Sequence, residues 1–389
     1  MNESTPESAG PGDVAAPADT QEEEPPPPRP GRTVAAVALS AVGVFIVVAL
    51  IAGFLIHLPY VIISPGYATP LDENVISVDG AQTYDHNGNV LFLTVRVTNH
   101  DPNVWRVVTS WLDPDREVVK RTDAVGCASD AENIAINARL MAQSQDAAKD
   151  VALTRLGYTV EADPPEVTIA DAVCSDVPAY GGLRAGDRVL AIDDQPVSQL
   201  TDVGPIVEAH QPGEPTTVTY SREGATETTR IVTGRRTAKG ACVPVKRVTT
   251  GTPCLGVVLE PFVTYRFPID VKIDTQKVGG PSAGLAFTLA IIDDLTPGDL
   301  TGGRRVAVTG TINPDGAVGP VGGVEQKAIT ARHNDVSMML VPKDEVKDAR
   351  RGAGDVKVVG VDTIDDALAA LQTAGGAAVP PASAVAARS

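Results

Sequence analysis

The feature of this sequence that most limits how it can fold is a run of 26 residues, Thr33 to Leu58, without a single Asp, Glu, Lys or Arg. An α-helix needs about 20 predominantly apolar residues to cross the hydrocarbon core of a bilayer. A cleaved signal peptide is the alternative, but its apolar region usually spans only about 7 to 15 residues and its charged leader is short. The length of the run therefore predicts one uncleaved transmembrane helix over residues 33 to 58.

The two flanks of this run differ in composition and charge. Residues 1 to 32 contain a proline run at 25 to 28 and almost no large apolar side chains, so they cannot bury enough surface to fold, and we predict a disordered tail. Arg29 and Arg32 precede the run, whereas the first cation after it is Arg96. The positive-inside rule then predicts a single-pass protein of the cell membrane with a cytoplasmic amino terminus and an extracytoplasmic remainder.

Charge and metal-binding residues exclude several classes of function. The chain has 32 basic and 49 acidic side chains and a formal charge of −17, which would repel a phosphate backbone, so nucleic acid is not an expected partner. The five histidines do not cluster and the four cysteines form no CxxC pair. We therefore predict no metal site and no cofactor.

An extracytoplasmic location changes the interpretation of the cysteines, because thiols outside the cytoplasm meet an oxidising environment. Cys242 and Cys254 close a short loop, which suits a local disulfide and would leave Cys127 to pair with Cys174. Sequence alone allows three disulfide connectivities, and the alternative of four unpaired, buried thiols also stays open.

The extracytoplasmic part alternates between strand and helix patterns. A β-branched run predicts a strand over Val90–Thr98, and apolar residues at helical spacing predict a helix over Asn137–Leu156. From about residue 163 the sequence pattern predicts short strands separated by Gly and Pro, with one candidate helix at Thr201–His210. Two further runs, Thr216–Tyr220 and Glu227–Val232, predict a closing hairpin, so this part is a β-rich module.

Within this module, the stretch GLRAGDRVLAIDDQPV at 182 to 197 resembles a PDZ domain of the bacterial protease-associated type. The resemblance implies that the module, over residues 161–237, binds the C-terminal end of a peptide by adding it as a strand, with loop amides holding the terminal carboxylate. No GLGF-like stretch precedes Val167, so the carboxylate-binding loop has no predicted position. A PDZ fold that serves only as a spacer stays open.

A third pattern places a serine at the start of a helix. A predicted strand at Ile269–Asp274 is followed by Gly279–Gly284 and then by an apolar run ending at Ile292. At the amino end of a helix, unpaired amides and the helix dipole can stabilise an oxyanion beside the hydroxyl of Ser282. We take the backbone amides of Ser282 and Gly280 as the candidate oxyanion donors. The alternative is that Ser282 only caps the helix.

A lysine lies on the apolar face of the next predicted helix, within Gly322–Asn334. Val324, Lys327, Ala328 and Ala331 occur at i, i+3, i+4 and i+7, which puts all four on one side. Burial disfavours the charged ammonium and lowers the pKa of a lysine, and the neutral amine can act as general base toward a hydroxyl. The alternative is a side chain that extends its amine to solvent.

These segments together resemble the proteolytic domain of Lon-type serine proteases, which use a Ser-Lys dyad. The resemblance is carried by PSAG at 281–284, TG at 309–310, GAVGPVGGVEQK at 316–327 and LVPKD at 340–344. It implies that Ser282 is the nucleophile, Lys327 the base and Thr309 the hydroxyl that orients the lysine. The chain departs from the family at Gly279 and Thr311, where the family has acidic residues.

The whole arrangement is similar to the bacterial membrane-anchored, PDZ-containing Lon-like proteases. The chain contains no GxxxxGK[ST] phosphate loop, so we predict no ATPase module. The predicted fold class is α+β: a Lon-type proteolytic domain plus a PDZ-like β-rich module, with one N-terminal transmembrane helix. The predicted segments are a tail at 1–32, the transmembrane helix at 33–58, an exterior segment at 59–160, the PDZ-like domain at 161–237, the Lon-like domain at 238–376 and a flexible tail at 377–389. In the Lon fold a strand and a long helix precede the serine strand, so the exterior segment would begin the proteolytic domain and the PDZ would be an insertion within it.

The predicted function is that of an ATP-independent serine endopeptidase that cleaves unfolded or extended polypeptides outside the cytoplasm. Its expected partners are a peptide or unfolded protein substrate, a C-terminal peptide on the PDZ and the lipid bilayer, and a homo-oligomer stays open. Two alternatives remain. GPSAG at 280–284 also fits the GxSxG elbow of α/β-hydrolases, which would need His333 as its base. A non-catalytic PDZ scaffold is the other.

Overall fold

The computed structural model describes residues 30–98, 100–276 and 278–379, with side chains from residue 36 onward. The predicted tails lie mostly outside these ranges, at residues 1–29 and 380–389. The helices are α1 (Pro30–Leu55), α2 (Val104–Trp111), α3 (Arg121–Val125), α4 (Asp130–Arg155), α5 (Leu200–Glu208), α6 (Gly284–Asp294), α7 (Val324–Arg332), α8 (Val346–Ala353) and α9 (Ile364–Thr373), with a 3-10 turn at Lys343–Glu345.

The strands lie almost entirely between α1 and α9. In chain order they are β1 (Tyr60–Pro70), β2 (Ile76–Asp79), β3 (Asn89–Val97), β4 (Glu117–Lys120), β5 (Glu161–Ala162), β6 (Glu166–Ile169), β7 (Arg188–Ile192), β8 (Gln195–Pro196), β9 (Pro215–Arg222), β10 (Ala225–Val232), β11 (Gly234–Arg236), β12 (Cys242–Val243), β13 (Pro253–Cys254), β14 (Leu259–Phe262), β15 (Tyr265–Arg266), β16 (Asp270–Ile273), β17 (Arg305–Val308), β18 (Thr311–Ile312), β19 (Val318–Gly319), β20 (Met338–Pro342) and β21 (Lys357–Val361).

The amino-terminal apolar run forms the helix α1. Its segment Ala36–Leu55 is long and apolar enough to cross a membrane, which is compatible with a membrane anchor or with a signal sequence. The helix ends three residues before the predicted Leu58. Pro59 has no amide with which to continue a helix, and the Leu58 amide already donates to the carbonyl of Pro102.

The larger sheet mixes parallel and antiparallel strands in the order β21-β20-β17-β3-β1-β4. Strands β3, β17, β20 and β21 run parallel, whereas β1 is antiparallel to both of its neighbours. One face packs against α4, α6 and α9, where Phe92 and Phe287 meet at 5.8 Å, and the other face packs against α7 and α8. Helix α6 is apolar on all sides from Gly284 to Ile292 except at Thr288, which fits its enclosure in this core.

The second sheet has the order β10-β9-β7-β6-β14 and its own apolar core. Its hairpin β9-β10 and its helix α5 occupy the predicted places. The strand β14 at its edge comes from a later part of the chain than the predicted β-rich module, which ended at residue 237.

The long helix before this module is longer than predicted. Helix α4 begins at Asp130 and not at Asn137, because Ser129 and Glu132 form a capping box at its amino end. The extra two turns place Asn137 inside the helix, next to the glycines that precede Ser282.

Candidate active site

Three polar side chains converge where α6, α7 and the end of β17 meet. The Nζ atom of Lys327 lies 2.8 Å from Oγ of Ser282 and 3.1 Å from Oγ1 of Thr309. Thr309 and Lys327 are almost completely buried, and Ser282 is half-buried. The structure therefore brings together the three side chains that the sequence singled out.

Ser282 does not act as a helix cap. The N-cap position of α6 is occupied by Ala283, which makes no side-chain capping bond, and the Ser282 hydroxyl contacts the lysine amine. The Ser282 carbonyl accepts hydrogen bonds from the Thr309 hydroxyl at 3.2 Å and from the Gly310 amide at 3.0 Å. These two bonds hold the backbone of the serine against the end of β17.

Lys327 does not extend its amine to solvent. Its side chain is 2% exposed on α7, and desolvation lowers the pKa of its amine from the ordinary 10.5 to about 8. The carboxylate of Glu345 acts in the opposite direction and raises the pKa of this amine, because it favours the positive charge. Desolvation is the larger effect, so about a tenth of the amine is neutral at pH 7.

Glu345 is an electrostatic neighbour that the sequence did not identify. One oxygen of its carboxylate accepts from the Val321 amide at 3.0 Å, whereas the other is buried without a hydrogen-bond partner in the described part of the chain. Burial raises the pKa of this carboxyl above its ordinary value. The sequence offers only an acidic residue directly after LVPKD, a position that resembles an ordinary surface site.

One of the two candidate oxyanion donors is wrong. The Gly280 amide donates to the carbonyl of Asn137 on α4 at 2.8 Å and is therefore not available to a substrate. The amides of Ser282 and Ala283, by contrast, donate to no acceptor within the described ranges. Both directly precede Gly284, the first residue of α6, so the positive end of the helix dipole adds to their attraction for a negative oxygen. The pair that fits an oxyanion is thus Ser282 and Ala283.

The departure from the Lon pattern at Gly279 has a steric reason. A Cβ atom at this position would lie 2.9 Å from Cβ of Asn137 and 3.2 Å from its carbonyl carbon. Any larger residue, including an acidic one, would need α4 to move. Thr311, the second departure, forms part of β18 and pairs with Gly319 on β19.

Helix α4 contacts both the serine loop and the second sheet. On one side, the Ser144 hydroxyl donates to the carbonyl of Pro281 at 2.9 Å. On the other side, Arg139 donates to the carbonyl of Ile169 at the end of β6 at 3.0 Å and pairs with Glu260 of β14 at 3.2 Å. Helix α4 therefore joins the serine loop to the second sheet.

A second candidate site lies at the edge of the second sheet, where sequence reasoning found no carboxylate-binding loop. The segment just before β14 contains three successive amides, those of Leu255, Gly256 and Val257, that donate to no acceptor in the residues that the structure describes. Gly256 has φ +81°, and a Cβ atom there would lie 2.4 Å from Val177, so only glycine fits this turn. Strand β14 is at the end of the sheet order, so its outer edge pairs with no strand in the described part of the chain, and α5 lies next to it.

The cysteines form two disulfides, Cys127–Cys174 and Cys242–Cys254. This is the pairing that the short loop and the even count had suggested. The second disulfide immediately precedes Leu255. Among the described residues, no group of three or more His, Cys, Asp or Glu side chains could hold a metal ion. His333, which an α/β-hydrolase would need, is an exposed residue whose ring contacts the Arg332 guanidinium.

Comparison with known proteins identifies two domains in this chain. The model of the Lon protease (S16) C-terminal proteolytic domain matches residues 263–373, and the PDZ domain model matches residues 154–233. Both resemblances noted in the sequence are therefore confirmed, and so is the α+β fold class. The edge strand β14 lies between the two matched segments, outside both.

Several curated proteins are similar to part of the chain. The Lon protease of Haemophilus influenzae is 38% identical over 93 residues, which is 23% of this chain and 11% of that protein. The Lon protease of Clostridium beijerinckii is 34% identical over 104 residues, or 26% of this chain and 13% of its own length. The chain thus spans only a small part of these relatives. Among solved structures, the PDZ domain of the SdrC-like protein from Listeria monocytogenes is 23% identical, with 24% of this chain and 86% of that chain covered and a TM-score of 0.20.

Proposed function

We propose that this protein is an ATP-independent, membrane-anchored serine endopeptidase that uses Ser282 and Lys327 as a catalytic dyad. The observation that carries the proposal is the 2.8 Å contact between the Ser282 hydroxyl and the buried Lys327 amine, whose pKa is lowered to about 8. A serine hydroxyl is a weak nucleophile unless a neighbouring base removes its proton. Here the base is at hydrogen-bond distance and is neutral often enough to serve.

The reaction takes place in two steps. Ser282 Oγ attacks the carbonyl carbon of the scissile peptide bond while its proton passes to Lys327 Nζ, and the carbonyl oxygen becomes an oxyanion held by the amides of Ser282 and Ala283. Collapse of this intermediate breaks the C–N bond, and Lys327 returns the proton to the leaving amine. A water molecule then gives its proton to Lys327 and attacks the acyl-enzyme, which releases the acid and restores the Ser282 hydroxyl. Thr309 keeps the amine directed at Oγ throughout.

The proteolytic domain would be built from two chain segments on either side of the PDZ domain. In support, β3 pairs with β1 on one side and with β17 on the other, so strands from before and after the PDZ segment share one sheet. Helix α4 from the first segment packs against α6 from the second. The PDZ is then an insertion at the end of α4.

The substrate would be an unfolded or extended polypeptide, because the 389 residues contain no phosphate loop with which to power unfolding. The PDZ would capture its C-terminal end by strand addition to the free edge of β14. The terminal carboxylate would then be held by the amides of Leu255, Gly256 and Val257. Capture of the chain end raises the local concentration of the rest of the chain near Ser282.

The anchor would be α1, with the amino terminus in the cytoplasm and the dyad outside it. The absence of charged residues between Thr33 and Leu58, and the cations at Arg29 and Arg32 on one flank only, support this orientation. Protease treatment of intact cells would then remove the domains and spare α1. Removal of the amino-terminal tail alone would show that the orientation is reversed.

Peptide hydrolysis by the full chain in detergent micelles tests the dyad. We expect the Ser282→Ala variant to lose activity by a factor of roughly 10⁴ or more, as in other serine proteases. An unchanged rate would refute the proposal. No turnover of any peptide by the unaltered protein would favour the scaffold alternative. A strong preference for small esters over peptides would favour the esterase alternative.

A second experiment tests the proposed peptide site at the edge of β14. Val257→Pro removes one amide, and Val257→Ala is the matched control that keeps it. We expect Val257→Pro to slow cleavage of long unfolded substrates with a free C-terminus while short peptides are cleaved normally. Equal effects on both substrate lengths would argue against tethering and for control of the dyad by the PDZ. A change on adding ATP would contradict an autonomous enzyme.

A further inference from the structure

The short helix α2 presents an apolar face to its surroundings. Val108, Trp111 and Leu112 are 39%, 77% and 71% exposed, and their spacing of i, i+3 and i+4 puts them on one side of the helix. The opposite side carries the fully buried Ser110 and packs toward β1 and β4. Single exposed apolar residues are common in soluble proteins, but a tryptophan and a leucine side by side are unusual enough to need a partner.

The position of α2 in the chain fold indicates what that partner is. The first amide of α2, at Val104, donates to the carbonyl of Ile56 at 3.1 Å, and His57 forms an antiparallel bridge with Asn103. These contacts join α2 to the residues that directly follow Leu55, the last residue of α1. A helix that crosses the bilayer brings its next residues to the headgroup region, and α2 is hydrogen-bonded to those residues.

The end of α1 also exposes apolar side chains. Phe54, Leu55 and Ile56 are 61%, 72% and 52% exposed, and the carbonyl of Ile56 is the one that accepts from the first amide of α2. A water-exposed junction of this kind would be unfavourable. The same residues are favourable at the boundary between headgroups and acyl chains.

The composition of α2 suits that boundary. The chain has two tryptophans, and both of them, Trp105 and Trp111, are in this eight-residue helix. Tryptophan is enriched at membrane interfaces because its ring is largely apolar and carries one polar N–H group. Arg106 is the only charged residue from position 104 to 112, in a chain with a formal charge of −17. The helix itself therefore carries no acidic side chain, and the nearest acidic residues, Asp101 and Asp113, lie outside its two ends.

We propose that α2 lies in the headgroup region of the bilayer that α1 crosses, with Trp111 and Leu112 inserted among the lipids. The proposal rests on the proposed anchoring by α1. It gives the protein a second, interfacial attachment, and because β1 begins at Tyr60, directly after the junction, this attachment fixes the orientation of the larger sheet relative to the membrane. A substrate chain would then meet the dyad at a defined angle to the surface.

Depth-dependent fluorescence quenching tests the proposal, since the tryptophans of the chain report on α2 alone. The full chain is reconstituted in phosphatidylcholine vesicles as the Trp105→Phe variant, which leaves Trp111 as the only emitter. Interfacial helices insert their apolar face about 5–10 Å, so lipids brominated near the carbonyl end of the acyl chain should reduce the emission roughly two-fold and lipids brominated near the chain terminus much less. Acrylamide in the water should quench weakly. The matched variant Trp111→Phe leaves only the half-buried Trp105, which should respond less to both quenchers.

Alkaline carbonate extraction and peptide hydrolysis on the same vesicles separate this inference from the proposed anchoring. Protein that resists extraction and cleaves peptide, but whose Trp111 is quenched by acrylamide and not by brominated lipid, would overturn the docking of α2 and leave the anchor standing. Shielding of Trp111 from both quenchers would show that another protein copy covers the face, which also overturns it. Release of the protein by carbonate would overturn the anchor and the docking together.

Discussion

The buried amine of Lys327 makes the pH dependence of catalysis the sharpest test of the dyad. The side chain is 2% exposed, and burial lowers the pKa of its amine to about 8. Only the neutral amine can accept the serine proton, so the activity of the free enzyme should follow the neutral fraction of this one group. The quantity that reports the free enzyme is kcat/KM.

The size of the effect follows from the value of the pKa. With a pKa of about 8, the neutral fraction is about 1% at pH 6, about 9% at pH 7, about 50% at pH 8 and about 91% at pH 9. We therefore expect kcat/KM to rise about 50-fold from pH 6 to pH 8 and less than about two-fold from pH 8 to pH 9. A solvent-exposed lysine would give a different curve, which rises about ten-fold per pH unit up to about pH 10.

The assay uses the full chain in micelles and an internally quenched, unfolded peptide between pH 6 and pH 9.5 at constant ionic strength. Lys327→Arg is the matched variant, because it keeps a positive charge but cannot lose its proton in this range. We expect this variant to be inactive at every pH. A midpoint near 6.5, a rate that still rises ten-fold above pH 9, or activity in the arginine variant would each refute a lysine base with a lowered pKa.

Three further outcomes follow from the same geometry. Glu345→Gln keeps the acceptor for the Val321 amide but removes the charge that raises the pKa of Lys327, so the midpoint of the activity profile should move to lower pH; an upward shift would contradict this assignment. Thr309→Val should lower kcat roughly 10- to 100-fold. Thr309→Ser should keep a kcat close to that of the unaltered protein, because only the valine variant lacks the hydroxyl that accepts a hydrogen bond from the Lys327 amine. Lys327→Met should raise the free energy of unfolding by about 3 kcal/mol below pH 8. The pKa of the Lys327 amine is lower in the folded protein than in the unfolded chain, so burial of its charge destabilises the fold most at low pH and very little above about pH 10.5. Denaturant titrations should therefore show the gain in the free energy of unfolding at pH 7 and almost none of it at about pH 10.5.

The parts of the site that the sequence predicted depend on local patterns. Gly and Pro end the strand before Ser282, and the apolar run after it is long enough only for a buried helix, so the start of α6 could be placed. Helical spacing put Lys327 on the buried side of α7. Their contact spans 45 positions and has no local signal, and only the resemblance to Lon proteases linked the two residues.

The wrong prediction of the Gly280 amide as an oxyanion donor has a cause that lies far away in the sequence. The amide lies in a glycine turn before a helix, where amides usually have no hydrogen-bond partner, so the sequence predicts that it can donate to a substrate. The partner is the carbonyl of Asn137, which comes from an earlier segment and was predicted to start a helix instead of lying two turns inside it. Once Ser129 and Glu132 are recognised as a capping box, α4 extends to the serine loop. The sequence then contains the reason for Gly279 as well, since any side chain there would collide with α4.

The proposed carboxylate-binding loop had no predicted position for a reason of topology. A search for it before Val167 assumes that a sheet takes its strands from one continuous stretch of chain, and most neighbouring strands are indeed close in sequence. In this protein the edge strand β14 pairs with β6 from a position about ninety residues later, after the hairpin has closed the rest of the sheet. The residue types at Leu255 and Gly256 do not distinguish this segment from an ordinary turn after a cysteine. After β14 ends at Phe262, the chain forms β15 and β16 and then reaches Ser282, so the edge that would bind a peptide and the loop that would cleave one belong to one continuous stretch of chain.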